Sequence, residues 1–313
     1  MEWTSDVASG QWIRERTDDE WTIHHFVPRG FEAYARVFHP GFRERPVGRP
    51  WPQGEGAWEE LEGVEIDTEA VTWGETARAF GTVMHPLASW RGITRADADD
   101  WNAPPADGPE GWRYEQPDGG GLLPEMLALL APHLVAATAD PAGGSLGVWD
   151  GWGGLVGGEA PSGARGAGGA GHDAMVSSSI KDAFNNPFRR NRWRSGILSD
   201  EISRAPRLEL PDRAHVLFRA DLRELEDPAW TERAPWRDAA SATTYPPSLA
   251  WPADRAWFVA CDVDQNTTTV GGSAELVRAL CADPRLEAAE LAEGAAFFDD
   301  ADPVNWGGRS PSA

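Results

Sequence analysis

The spacing of hydrophobic residues changes period several times along the chain, and each change predicts an element. Two short runs, Thr22 to Val27 and Glu32 to Phe38, read as strands separated by Pro28, Arg29 and Gly30, a hairpin-like start. From Val71 to Met84 the positions Trp73, Ala77, Phe80 and Met84 follow helical spacing until Pro86 breaks it. Leu123, Leu127, Leu130 and Leu134 lay an apolar stripe along one helix face, the strongest helix in the chain. Pro124 is tolerated in its first turn, whereas Pro132 removes an internal hydrogen bond and predicts a kink or a split. Ser145 to Trp149 and His215 to Arg219 read as strands. In Arg255 to Asp264, the clearest strand, Trp257, Val259, Cys261 and Val263 alternate onto one face and Phe258, Ala260, Asp262 and Asp264 onto the other. Gly271 and Gly272 then lead into Ser273, an N-cap for a helix with the apolar face Leu276, Val277, Leu280 and Cys281, closed by Asp283 and Pro284.

These elements predict the α+β class: an antiparallel or mixed sheet with strands near 32 to 38, 145 to 149, 215 to 219 and 255 to 263, helices near 123 to 136 and 273 to 281 packed on one face, and long irregular Pro-, Gly- and Trp-rich loops. Residues 40 to 63 and 97 to 121 lack periodicity and read as loops, and 226 to 253 as a Pro- and Trp-rich approach to the next strand. Gly151 to Gly171 is glycine-rich with few large side chains, the composition of a flexible connector. The expected organisation is one domain, 1 to 313, with a flexible insertion at about 157 to 207, or alternatively two lobes, 1 to 156 and 173 to 313.

Charge narrows the partners. Fifty acidic residues against 28 basic ones give a formal charge of −22, a field that repels phosphate backbones and anionic lipid. Neither nucleic acid nor membrane is expected as a partner; a cation, a basic protein or a neutral ligand is. The basic cluster Arg189, Arg190, Arg192 and Arg194 around Trp193 reads as an internal counter-charge for acidic loops. The first residues carry no secretory pattern and no run of about 18 apolar residues occurs, so a cytoplasmic protein is expected. Cys261 and Cys281 form no CxxC spacing and read as small core hydrophobes.

Seventeen tryptophans, scattered through every segment, suit core filling, with stacking on sugars as the alternative. The Gly-rich run contains no GxxxxGK[ST] motif, and GxSxG and HExxH are absent as well. His24 and His25 are adjacent and would project to opposite faces of a strand, while His39, His85, His133, His172 and His215 are dispersed. One constellation remains. A strand ending in Asp262-Val263-Asp264 is similar to the DxD motif of metal-dependent glycosyltransferases, in which carboxylate oxygens hold Mn²⁺ or Mg²⁺ against a nucleotide sugar. Gly271, Gly272 and Ser273 would then offer backbone N–H groups to phosphate at a helix start. The same run begins like an EF-hand, but Thr267 stands where glycine is needed and Ser273 where a bidentate Glu is needed. Solvated aspartates at a strand end are the plain alternative.

Several stretches together, Gly30-Phe31 to His39-Pro40, the Leu-rich helix followed by GVWDGWGGL at 147 to 155, WPADRAWFVACDVD at 251 to 264 and the following VGGSAEL, resemble an uncharacterised family of acidic, Trp-rich proteins of high-GC Gram-positive bacteria. The resemblance covers about half of the chain in patches and implies a bacterial cytoplasmic protein; it supplies no catalytic residue. The leading functional expectation is a non-enzymatic, acidic interaction protein, immunity- or antitoxin-like, that binds a basic protein and needs no cofactor. The alternatives are the metal-dependent transferase built on Asp262 and Asp264, and carbohydrate binding through exposed tryptophan.

Overall fold

The computed structural model describes residues 1–52, 59–96, 104–117, 119–160, 192–296 and 302–305. Its strands are β1 (Glu2–Thr4), β2 (Ala33–Phe38), β3 (Gly41–Pro46), β4 (Ile66–Val71), β5 (Ala106–Asp107), β6 (Arg113–Glu115), β7 (Gly144–Trp149), β8 (Gly158–Ala160), β9 (Arg192–Arg194), β10 (Leu208–Glu209), β11 (Ala214–Ala220), β12 (Leu249–Pro252), β13 (Phe258–Ala260), β14 (Thr267–Gly272) and β15 (Glu287–Leu291). The α-helices are α1 (Gln11–Arg14), α2 (Trp73–Phe80), α3 (Trp90–Thr94), α4 (Pro124–Ala136), α5 (Asp200–Arg204) and α6 (Ala274–Ala282). Every described strand pairing is antiparallel. The large sheet runs β1-β11-β7-β12-β13-β14-β2-β15, with β10 paired to β11, and a smaller one runs β4-β3-β6-β5.

The α+β class follows from period-two burial. Ala35 and Val37 of β2, Leu146 and Val148 of β7, Val216 and Phe218 of β11, Val259 of β13 and Val270 of β14 all enter one core, where α4 contributes Leu127, Leu130 and Leu134 and α6 contributes Leu276, Val277 and Leu280. Side chains one residue out of phase enter a second core on the opposite face: Tyr34, Leu217, Leu249, Trp251, Phe258 and Ala260 pack under Trp12, Ile13, Ile23 and Val27 of the N-terminal segment. A third cluster joins Phe38 to Trp73, Trp90, Trp112 and Tyr114 of the smaller sheet and its helices. The helices α4 and α6 thus cover one face as expected, and the N-terminal segment, with the short α1 and a 3-10 turn, covers the other.

Several elements depart from the expected boundaries for local reasons. Thr22 to Val27 is a 3-10 turn at Ile23–His25, because the Thr22 hydroxyl accepts from the His24 backbone N–H and starts a turn. His24 and His25 are both buried there. The helix expected from 71 to 84 is confined to α2 by a capping box, Thr72 with Glu75, and by Gly81 at φ 64°, a left-handed stop suited to glycine. Pro132 does not split α4, which is continuous from 124 to 136. The strand expected over 255 to 264 pairs only at 258 to 260. Arg255, at φ 57°, belongs to the β12–β13 turn, and Asp262 bends the chain beyond Ala260. The 40 to 63 and 97 to 121 regions contain β3, β5 and β6, whose cross-strand partners supply the order that their own composition does not. Residues 161–191, most of the expected insertion, together with Arg189 and Arg190, lie outside the described residues; its flanks pair as β8 with β9. No helix among the described residues is long and apolar enough to cross a membrane.

Candidate functional site

Where the N-terminal cover leaves the second face of the large sheet, a cavity of about 320 Å³ opens between the Trp21–Phe26 segment, the turn before β11, the start of β12 and the 261–266 turn. Phe26, Leu210, Pro211, Leu249 and Ala260 make its walls largely apolar. That size is at the lower end of the range for ligand pockets.

The polar side of the mouth is assembled from two turns. Leu210 N–H donates to the Arg213 carbonyl (2.9 Å), which closes the turn into β11 and sets Asp212 and Arg213 side by side. After β13, Gln265 N–H donates to the Asp262 carbonyl (3.0 Å) and Asp264 N–H to Asp262 Oδ1 (3.0 Å), an Asx turn that brings Asp262 and Asp264 together. Arg213 bridges the two turns: its Nε donates to Asp262 Oδ2 at 2.8 Å, its Nη2 donates to Asp262 Oδ1 at 3.0 Å, and the same Nη2 also reaches Asp264. The guanidinium carbon sits 4.7 Å from the Trp149 ring centroid, a stacked cation. On the other side His25 Nε2 lies 2.6 Å from Asp212 Oδ2, and the Trp21 ring lies parallel to His25 at 5.8 Å. Trp21 is 69% exposed, the one exposed tryptophan among the described residues.

Asp262 and Asp264 therefore converge through the Asx turn and not through strand alternation, and they converge on a guanidinium. Arg213 occupies the position and supplies the charge that a divalent ion would, so metal binding there requires its displacement. Among the described residues no group of three or more His, Cys, Asp or Glu side chains is arranged to hold a metal. Gly271, Gly272 and Ser273 lie at the far end of the β13–β14 hairpin, where Gly271 pairs with Phe258, on the order of 10 Å of strand away from the aspartates. A Cβ on Gly271 would come to 2.5 Å from the Phe31 ring and one on Gly272 to 2.8 Å from Leu276, so close packing accounts for both glycines. Ser273 caps α6 by accepting from Leu276 N–H (3.2 Å), and the free Ala274 N–H donates to Glu32 Oε2 (3.0 Å). A carboxylate already stands where a phosphate would.

At the inner end of the cavity are His215 and Ser248, 3% and 2% exposed. His215 Nδ1 and Ser248 Oγ have no hydrogen-bond partner among the described residues. Burial depresses the His215 pKa from 6.5 to about 4; the nearby Asp262 charge and the backbone around Leu208 and Arg213 pull it the other way without overcoming burial, so the ring is neutral at pH 7. The folded chain binds this proton less readily than the unfolded chain does. Its contribution to stability is therefore complete above pH 6.5 and is lost as pH falls from 6.5 through 4. The loss amounts to about 3 kcal/mol. Urea unfolding at a series of pH values checks this: His215→Gln is expected to flatten that part of the profile, and an unchanged profile would refute it.

Cys261, the thiol nearest in sequence, belongs to the opposite core and burial pushes its pKa up to about 12, which leaves it inert. The sequence draws attention to Asp262 and Asp264, as a metal pair, and counts His215 among dispersed histidines, whereas Asp212, Arg213 and Ser248 carry no motif that singles them out. The one local signal was Pro211-Asp212 ahead of a strand, a turn signature that places Arg213 at a sheet end. Compared with family models, curated proteins and solved structures, the chain matches none.

Proposed function

We propose that the chain acts by binding, as an acidic recognition protein that engages a basic partner at the pocket between Trp21 and the 261–266 turn. The observation that carries this reading is the mouth itself: Asp262 and Asp264 hold a single guanidinium, Asp212 stands against His25, and an exposed indole face and apolar walls adjoin them. Asp212 and Asp264 are largely exposed, so both retain lone pairs for an incoming cation, and the Trp21 ring adds a cation–π surface. The −22 charge of the whole chain steers a basic partner toward the pocket and raises the association rate.

The reading predicts saturable, salt-sensitive binding of a lysine- and arginine-rich peptide, followed by tryptophan fluorescence at about 20 and about 300 mM salt. Trp21→Ala, and separately Asp212→Asn combined with Asp264→Asn, should each weaken it by about tenfold or more. Peptide binding that is absent at low salt, or indifferent to both variants, would sink the proposal. Neutral oligosaccharides serve as the contrasting arm, and binding of these through Trp21 would favour the carbohydrate alternative instead.

A further inference from the structure

The mouth of the pocket is acidic, but its inner end is polar and neutral, and that order constrains the occupant. Ser248 Oγ and His215 Nδ1 are both more than nine-tenths buried, both belong to residues lining the cavity, and neither has a partner among the described residues. An unmatched buried polar atom costs free energy, and a ligand that satisfies it recovers that cost. The two are not hydrogen-bonded to each other, so they do not form a nucleophile and base. From β11 and the residue just before β12, on either side of β7, they offer the same cavity a hydroxyl that donates or accepts and a neutral imidazole, a match for a neutral group that can do both.

A lysine or arginine side chain entering tip first fits this order poorly. Its charge would rest against a neutral imidazole, and its aliphatic stem would lie between the carboxylates of the mouth. The complementary molecule has the reverse polarity: ammonium at the mouth near Asp212 and Asp264, an apolar body against Phe26, Leu210, Pro211 and Leu249, and a neutral hydroxyl at the inner end. Resting on the binding role argued above, we propose that the pocket is a specific site for a primary amine that carries a hydroxyl at the far end of an apolar body, with Ser248 and His215 reading the hydroxyl. That chemistry occurs in a free arylalkylamine and in the amino-terminal residue of a peptide.

The test compares three probes by isothermal titration calorimetry on the whole chain: tyramine, phenethylamine, which lacks the hydroxyl, and 4-hydroxyphenylethanol, which lacks the amine. Tyramine is expected to bind about tenfold more tightly than phenethylamine, and that preference should shrink in Ser248→Ala, where His215 alone still reads the hydroxyl; an undiminished preference would overturn the role of Ser248. Ser248→Ala deletes an unpartnered hydroxyl and is expected to fold; independently, tyramine should shift the His215 ring nitrogen resonances, which report hydrogen bonding, more than phenethylamine does, and equal shifts would overturn the role of His215. A peptide with amino-terminal tyrosine and its N-acetylated form distinguish the two sources: tighter binding of the free-amine peptide than of tyramine assigns the ligand to a chain terminus, and the reverse assigns it to a free amine. Equal affinity for tyramine and phenethylamine overturns the inference and leaves the acidic-mouth reading standing. Failure of both amines to bind overturns the inference alone, since the acidic-mouth reading is decided by the lysine- and arginine-rich peptide.

Discussion

Replacing Trp257 by alanine is expected to cost about 3–5 kcal/mol of folding stability, the largest effect of any single substitution considered for this chain. Trp257 is fully buried in the core between the large sheet and the helices, and its indole N–H donates to the Leu134 carbonyl at 2.8 Å. That carbonyl belongs to the last turn of α4, where its backbone partner is the Ala137 N–H at 3.2 Å, which it shares with the His133 carbonyl. One side chain therefore fills the space between sheet and helix and also caps the helix from the sheet side. Trp257→Phe keeps most of the apolar volume but loses the donor, and should cost about 1–2 kcal/mol. Trp21→Ala, at the exposed pocket mouth, should stay within about 0.5 kcal/mol. Urea unfolding of the three variants tests the set, and a Trp257→Ala loss no larger than that of Trp21→Ala would refute the clasp.

Arg213→Ala is expected to remove about 2–4 kcal/mol at neutral pH, less than a wholly buried pair would because Arg213 retains some exposure. The Asp262 carboxylate, with its side chain only 9% exposed, would keep the Asp264 N–H but lose both guanidinium bonds, with the Asp264 carboxylate beside it and no opposing charge between them. Trp149 would also lose the cation stacked on it. Removing the charge on both sides, as in Arg213→Met with Asp262→Leu, should be less damaging than Arg213→Ala alone, because no uncompensated ion is left. The variant also examines the metal reading. With the guanidinium gone, millimolar Mn²⁺ should raise the Tm of Arg213→Ala, while the unmutated chain should show no shift. A shift of equal size in both would mean that Arg213 does not compete with metal at these carboxylates.

Much of the large sheet was legible because its strands are short, buried on both faces and alternate cleanly between two cores. Trp257, Val259 and Cys261 on one side and Phe258 and Ala260 on the other read correctly even though only 258 to 260 carry the ladder. The α6 cap and the α4 stripe were legible for the same reason, that local spacing and local chemistry agree. What escaped was determined at a distance. β3, β5 and β6 owe their order to one another, and the Thr22–Val27 run turns because a single hydroxyl competes for the backbone. The pocket escaped almost entirely: Arg213 meets Asp262 and Asp264 across roughly fifty positions of sequence, and no local pattern announces a guanidinium that takes the place of a cation.

The order of strands in the large sheet bears on how the chain acquires its shape. β2, formed by residues 33 to 38, is flanked by β14 and β15, which are synthesised more than two hundred positions later, and β1 at the very start pairs with β11. β7 is held between β11 and β12, so the segment preceding the Gly-rich stretch has no edge partner until the segment following it has emerged. A nascent chain must hold β1 and β7 unpaired until β11 emerges and β2 until β14 and β15 do, and closure over such separations is slow. Maturation is thus expected to be late and cooperative, with exposure to aggregation during synthesis that a chaperone would relieve.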